Sequence, residues 1–176
     1  ELNGEQLPDA DADAFQQAQA MFRSFKWAMA YVAPRGIGPT AWDQSERKQT
    51  QHRRRFYLLG QSLDGMRVLD VRRAIQTLRT PAGRMRDVPL WLQAEGQMAG
   101  VTLYASLFEP DITRLDLYAL SNSHRDGPFL LNVRRFHDMP QAVAMAAERS
   151  RVVVYQADDQ GWEYPISVAK QLGWKK

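Results

Sequence analysis

Two short stretches of the sequence have the residue types of a nucleophilic catalytic site, and the first surrounds Ser62. Residues 60–65 read GQSLDG, with an apolar run at 56–59 before them and a helical pattern after them. The stretch is nearly G-x-S-x-G, the strand-to-helix turn that presents an activated serine hydroxyl. The competing interpretation is that Ser62 caps the helix, because serine accepts hydrogen bonds from free backbone N–H groups and Asp64 suits the positive helix end.

The surrounding residues favour the capping interpretation of Ser62. The apolar run at 56–59 follows three consecutive arginines, and it is short for a central strand covered on both faces. Asp64 stands where the motif needs glycine, and the helix beyond it is amphipathic. We therefore predict that Ser62 begins a helix and does not attack a substrate.

The second stretch has the better architecture but lacks the nucleophile. An apolar strand is predicted at 88–93 and a helix that is apolar on nearly all sides at 98–108, with a short turn between them. Gln97 stands where a serine would be. A glutamine amide cannot be activated by a neighbouring base to attack a carbonyl, as a serine or cysteine can. The strand-to-helix turn that carries the nucleophile of serine hydrolases is called the nucleophile elbow. The sequence therefore predicts a degenerate elbow, one without its serine, which consists of Gly96, Gln97, Met98 and Gly100.

Strands that alternate with helices must position these two stretches. The pattern predicts an α/β fold, in which a mostly parallel sheet is flanked by helices. The further predicted elements are strands at 26–33, 114–120 and 151–156, and helices at 14–25, 63–79, 139–147 and 164–172. Asp13 is expected to cap the first helix, and residues 41–55 are expected to be irregular. We predict a flexible lead-in at residues 1–12 and a single domain at 13–176.

The composition excludes several classes of site. The chain of 176 residues has no cysteine, so disulfides, zinc–thiolate sites and cysteine nucleophiles are excluded. The net charge is +3, but the arginine clusters are dispersed, which favours solvated faces over a nucleic-acid site. Asp9, Asp11 and Asp13 are spaced as in a calcium loop, but Ala14 and Ala20 replace the required glycine and glutamate. We therefore expect no metal and no cofactor.

The sequence gives no sign of a membrane partner. No apolar run reaches the roughly 18 residues of a membrane span, and the acidic start at residues 1–15 is unlike a signal peptide. We expect a soluble protein, either cytoplasmic or exported with its signal upstream of this chain.

Four segments together resemble a known superfamily. They are a strand and RGxG-type loop at 31–38, a G-x-S-L-x-G-x-R-V-x-D stretch within 59–74, the elbow and its helix at 91–110, and the approach to a late strand at 134–154. In their order and spacing, the chain resembles the α/β-hydrolase superfamily, and within it the acetyl-xylan-esterase-like and prolyl-oligopeptidase-like hydrolases of bacteria. The resemblance implies the C-terminal part of that fold, without its first strands and its last strand.

The resemblance carries over little of the serine-hydrolase triad. It places the nucleophile on Gln97 and the catalytic acid on Asp158 or Asp159, just after the late strand. The family's histidine lies after one further strand that no segment of this sequence matches, and both His124 and His137 precede the acid. The missing strands imply that the remainder of a larger polypeptide, or a second copy of this chain, completes the sheet.

Three functions remain open at this point. The first is a hydrolase-like domain that has lost esterase or peptidase catalysis and acts in structure or binding. The second is an active serine hydrolase, whose nucleophile, acid and base would be Ser62, Asp158 or Asp159, and His124 or His137. The third is a module that binds anions or carbohydrate through arginines and exposed aromatic side chains such as Trp42, Trp162 and Trp174. A small ester or a carbohydrate is the expected ligand.

Overall fold

The computed structural model describes residues 11–25, 27–42, 45–80, 85, 87–156 and 159–174. The chain divides into two compact units, one ending at Gln49 and one beginning at Thr50. All strands of the described sheet belong to the second unit. Among the helices that the structure describes, none is both long enough and apolar enough to cross a bilayer.

Helix α1 (Ala12–Ser24) lies in the first unit, and its cap is Asp11. The Oδ1 atom of Asp11 accepts a hydrogen bond from the backbone N–H of Ala14 at 2.9 Å. The prediction that Asp13 caps this helix is therefore wrong, because Asp13 lies within the first turn. Either aspartate can fill a cap position by its chemistry, so the sequence alone could not separate them.

The strand predicted at 26–33 is also wrong for the residues described. Residues 27–34 form no strand, and the side chains at 27–33 are exposed; Lys26 lies outside the described residues. A strand needs a hydrogen-bonding neighbour to satisfy its backbone groups. No such neighbour pairs with residues 27–34, so their apolar composition does not make them part of a sheet.

Helix α2 (Glu46–Leu58) contains residues 46–55 of the segment predicted to be irregular and residues 56–58 of the apolar run that was considered as a strand. Its residues are mostly Arg, Lys, Gln and Glu, which are good helix formers. The last residue of the helix is Leu58, and the chain turns away at Gly60, whose backbone has a φ of 68°. The N–H groups of Gly60 and Gln61 donate to the carbonyls of Tyr57 and Phe56 at 3.0 Å, which is a Schellman ending. Residues 60–62 therefore join two helices and not a strand to a helix.

The second unit is an α/β fold with a three-stranded parallel sheet, and the elements predicted from residue 63 onward are confirmed to within two residues at each end. The strands lie side by side in chain order, β1 (Leu90–Glu95), β2 (Ile112–Tyr118) and β3 (Arg151–Tyr155). The helices are α3 (Leu63–Leu78), α4 (Gln97–Phe108), α5 (Met139–Ala147) and α6 (Glu163–Gln171).

One face of this sheet carries the hydrophobic core. Leu115 and Leu117 of β2 are fully buried, and Leu92 of β1 lies in register with Leu115. Helices α4 and α5 contact the strands through this apolar face. Helix α4 is apolar on all sides because α3 and α5 also pack against it.

The opposite face of the sheet is polar and aromatic, because successive residues of a strand point to opposite faces. Trp91 of β1 lies in register with Arg114 of β2, and Asp116 lies in register with Val153 of β3. The Arg114 guanidinium pairs with Asp116 at 2.8 Å. Trp91 keeps 61% of its surface exposed, so this face presents aromatic and charged groups to solvent.

Candidate functional site at the carboxyl ends of the strands

The turn between β1 and α4 has the strand-to-helix shape of an elbow, and its strained residue is Gly96. Gly96 has φ 57° and ψ −129°, a backbone conformation that glycine adopts far more readily than other residues. Its N–H donates to the carbonyl of Tyr118 at 2.9 Å, which ties the turn to the end of β2. A nucleophile elbow places the reactive serine on such a strained strand-to-helix turn. In this chain that position has no side chain.

Gln97 is the first residue of α4, so the strained position lies one residue before the one to which the resemblance assigned the nucleophile. The length of a turn cannot be read from the sequence to a single residue, which explains the difference. The Gln97 side chain donates from Nε2 to Asp64 Oδ2 at 3.0 Å. Its amide therefore joins the start of α4 to the start of α3. Met98, the next residue of the degenerate elbow, is half-buried.

Asp64 is the centre of a buried hydrogen-bond network that the sequence reasoning missed. Its Oδ1 pairs with the guanidinium of Arg67 at 3.0 Å, and the two side chains are only 6% and 10% exposed. Its Oδ2 accepts from Gln97 and from the backbone N–H of Phe129 at 2.8 Å. Asp64 thus joins α3, the elbow turn and the loop that follows β2. The one sequence feature that pointed to this network was Asp64 itself, which occupies the last glycine position of the G-x-S-x-G motif.

Ser62 caps α3, as its surroundings predicted. The Ser62 backbone is extended, and its Oγ accepts from the N–H of Gly65 at 3.1 Å. The residue is 5% exposed. Neither His124 nor His137 makes a hydrogen bond to this hydroxyl. The geometry is that of a helix cap, and it does not place a general base on Ser62.

The candidate acids lie after β3. Asp159 is exposed, and its carbonyl accepts a hydrogen bond from the N–H of Trp162 at 3.1 Å. Asp158 lies outside the described residues. The hydrogen bonds of the described residues bring neither a histidine nor Ser62 to Asp159.

The two candidate bases meet at a tyrosine. The Tyr104 hydroxyl lies 2.7 Å from His124 Nε2 and 3.0 Å from His137 Nε2. His124 Nδ1 lies 2.9 Å from the carbonyl oxygen of Pro128. Burial raises the pKa of Tyr104 well above its ordinary value, and the negative charge of Asp138 adds to the effect. Burial and the nearby His124 lower the pKa of His137, although Asp138 acts in the opposite direction.

Asp138 fastens the loop at 119–138 to the start of α5. Its Oδ1 accepts from the N–H groups of His124 at 2.6 Å and of Met139 at 2.9 Å. Its Oδ2 accepts from the Ser123 hydroxyl at 2.9 Å. Burial alone would raise the pKa of Asp138, but these hydrogen bonds hold it below its ordinary value. The carboxylate is therefore both a helix cap and the anchor of the loop.

Gly100 allows the same loop to approach α4. A Cβ atom at this position would lie 2.5 Å from Cδ of Pro128, which is closer than real side-chain carbons come. Gly100, a member of the predicted degenerate elbow, is thus required for packing between α4 and the loop.

The aromatic residues expected to bind ligand are buried or half-buried. Trp162 is buried, with 5% of its surface exposed, and its indole N–H donates to Gln156 Oε1 at 2.6 Å. Trp42 and Trp174 are half-buried. Trp162 fills the core next to α6, which explains its burial. Trp162 is therefore not the exposed aromatic side chain that was expected, whereas Trp42 and Trp174 are each partly exposed.

Neither metal chemistry nor similarity to other proteins identifies the site. In the part of the chain that the structure describes, no three His, Asp or Glu side chains converge as a metal ion would require. No protein-family model matches the chain, and no curated protein or solved structure does either. The function must therefore be argued from the residues of the site.

Proposed function

We propose that this chain is a hydrolase-like α/β domain without serine-hydrolase catalysis, which acts in structure or in binding. The observation that carries the proposal is the elbow turn with glycine in its strained position. Covalent acyl transfer needs an oxygen or sulfur nucleophile there, and Gly96 offers neither. Gln97 beside it holds Asp64 through its amide.

The polar groups near the turn support the same conclusion. An active triad needs a histidine with one nitrogen on the nucleophile and the other on the acid. Both ring nitrogens of His124 already form hydrogen bonds, one with the Tyr104 hydroxyl and one with the carbonyl of Pro128. Nε2 of His137 is used by the same tyrosine. These histidines orient a loop and do not activate Ser62.

Labelling with a fluorophosphonate probe tests the proposal, because the probe reacts only with activated serines. We expect no label on the purified chain, while a known serine hydrolase in the same tube is labelled. A label that maps to Ser62 would overturn the proposal and support an active enzyme.

Ser62→Ala and Ser62→Asp form a matched pair, because both remove the hydroxyl but only aspartate keeps the cap. We expect Ser62→Ala alone to lose about 1 kcal/mol of unfolding free energy.

A second candidate function is binding of a neutral carbohydrate on the polar face of the sheet. There the exposed ring of Trp91 lies 5.0 Å from the Arg114 guanidinium, and Tyr118 and Tyr155 stack with ring centroids 4.2 Å apart. Flat exposed rings beside paired charges suit the C–H groups and hydroxyls of a sugar, since the rings combine an apolar surface with polar neighbours. Arg114 is matched by Asp116, which disfavours a polyanion.

Affinity electrophoresis in polysaccharide gels tests this second candidate. We expect the gel to retard the wild-type chain and to retard Trp91→Ala much less. Trp27→Ala is the matched control, because Trp27 is similarly exposed, at 49%, but lies in the first unit. Equal mobility of all three proteins in gels with and without polysaccharide would remove this candidate.

A further inference from the structure

The hydrogen bonds around Tyr104 fix where protons lie on the two histidines. We call Tyr104, His124 and His137 the Tyr104 cluster. The carbonyl of Pro128 can only accept, so Nδ1 of His124 must carry a proton. In the neutral ring, Nε2 of His124 is then an acceptor and receives the phenol hydrogen of Tyr104. The phenol has one hydrogen, and this hydrogen bond to His124 occupies it.

His137 must therefore donate to the same phenol. Its Nε2 lies 3.0 Å from the Tyr104 oxygen, and the phenol has no second hydrogen to offer it. Neutral His137 is thus the Nε2–H tautomer, and the hydrogen bonds run from His137 through Tyr104 to His124. One added proton on Nδ1 of His137 leaves this order intact.

A second added proton cannot be accommodated. With both rings charged, both Nε2 atoms carry hydrogens that point at one phenol oxygen, and the phenol hydrogen loses its acceptor. The two positive charges would also repel each other across a site in which Tyr104 and His124 are only 5% and 6% exposed. Asp138, at the start of α5, is the anion that acts on this cluster, and one carboxylate balances only one of the two charges.

We infer that the Tyr104 cluster is a pH-sensitive attachment of the end of the loop, residues 133–138, to α4, closed while at least one of the two histidines is neutral and open when both are protonated. His137 is half-buried, whereas His124 is buried, so His137 leaves the cluster. The end of the loop at 133–138 then loses its tie to α4 through Tyr104, while His124 stays in contact with Tyr104 and with the carbonyl of Pro128.

Hydrogen–deuterium exchange of the full chain between pH 8 and pH 5, corrected for the intrinsic pH dependence of exchange, tests the inference. We expect exchange of peptides from residues 130–138 to rise by about tenfold relative to peptides of α3, because the end of the loop opens locally. His137→Gln keeps an N–H that can reach the Tyr104 oxygen but does not titrate, and its loop should stay protected at pH 5. His52→Gln is the matched control and should behave as the wild type.

A constant ratio of loop to α3 exchange in the wild type would overturn the inference, and so would an unchanged pH dependence in His137→Gln. If that variant does not fold, nitrogen NMR of the wild-type histidines decides. At pH 8 the spectrum should show His124 protonated on Nδ1 and His137 on Nε2. The opposite tautomers would contradict the inference.

Discussion

At Gly96 the backbone takes a conformation that suits a reactive side chain, and no side chain is there to use it. Asp64 brings a buried negative charge to the same turn, where it binds Arg67 and accepts two further hydrogen bonds. A buried carboxylate is costly unless every lone pair finds a partner. The partners found here come from α3, from α4 and from the loop after β2. The residue therefore organises the turn as a rigid junction.

Replacing Asp64 should show how much this hydrogen-bond network contributes to the free energy of unfolding. We expect Asp64→Ala to lower the free energy of unfolding by about 3–5 kcal/mol, because the buried guanidinium of Arg67 loses this carboxylate. Asp64→Ala combined with Arg67→Met should lose clearly less, since the buried positive charge is also removed. Urea unfolding followed by circular dichroism measures both.

Asp126→Ala, which removes an exposed carboxylate, is the control and should change stability by less than about 0.5 kcal/mol. A loss of the same small size in Asp64→Ala would show that the network contributes little.

The sequence revealed the role of Ser62 but not the partners of Asp64. The Ser62 cap is local, because its hydroxyl binds a backbone N–H three residues away. Gln97 and Phe129 lie 33 and 65 residues from Asp64. No local pattern encodes such contacts, since they arise only when the helices pack around the sheet.

At the level of elements, the structure agrees closely with the sequence prediction from residue 63 onward, and less well at residues 27–59. Strands β1 to β3 are apolar runs between amphipathic or apolar helices, and each helix start has a recognisable cap or turn. The run at 27–33 has the same apolar composition but forms no strand. The run at 56–59 continues a helix of charged residues. Short apolar runs are ambiguous because tertiary neighbours decide their conformation.

Gly100→Ala should disturb the contact between α4 and the loop. The added methyl group would lie 2.5 and 2.7 Å from two ring atoms of Pro128, and the proline ring cannot rotate away. We expect a net loss of about 1–2 kcal/mol, because the overpacking exceeds the gain in helix propensity. Thermal unfolding measures the loss.

Pro128→Ala in the same chain makes room for the methyl group and serves as the control. The double variant should lose less than the two single variants added together. Strict additivity would show that Gly100 and Pro128 do not interact.

At the level of the whole molecule, the shifted pKa values of three neighbouring groups make the stability depend on pH. The pKa of His137 is lowered from 6.5, so the stability it contributes is present above pH 6.5 and lost as the pH falls below it. The pKa of Asp138 is lowered from 3.8, so its contribution is lost in stronger acid. The pKa of Tyr104 is raised from 10.0, so its contribution is lost at alkaline pH above that value.

We therefore expect the free energy of unfolding to be highest between about pH 6.5 and pH 10. Urea unfolding at intervals from pH 4 to pH 11 measures this profile. His137→Gln should remove the first acidic decrease, and Tyr104→Phe should reduce the alkaline decrease, to which the raised pKa of Tyr118 also contributes. A stability that rises as the pH falls from 7 to 5 would contradict the assignment of these groups.

The strand order of the sheet has a consequence for how the second unit reaches its structure. Residues 96–111 connect β1 to β2, whereas residues 119–150, twice as many, connect β2 to β3. Closing the longer connection costs about 0.6 kcal/mol more entropy, since each doubling of a flexible loop adds that amount. This difference favours the pairing of β1 with β2 as the earlier step of refolding, before β3 is added. The loop fastened by Tyr104 belongs to the late step, so its docking completes folding and does not initiate it.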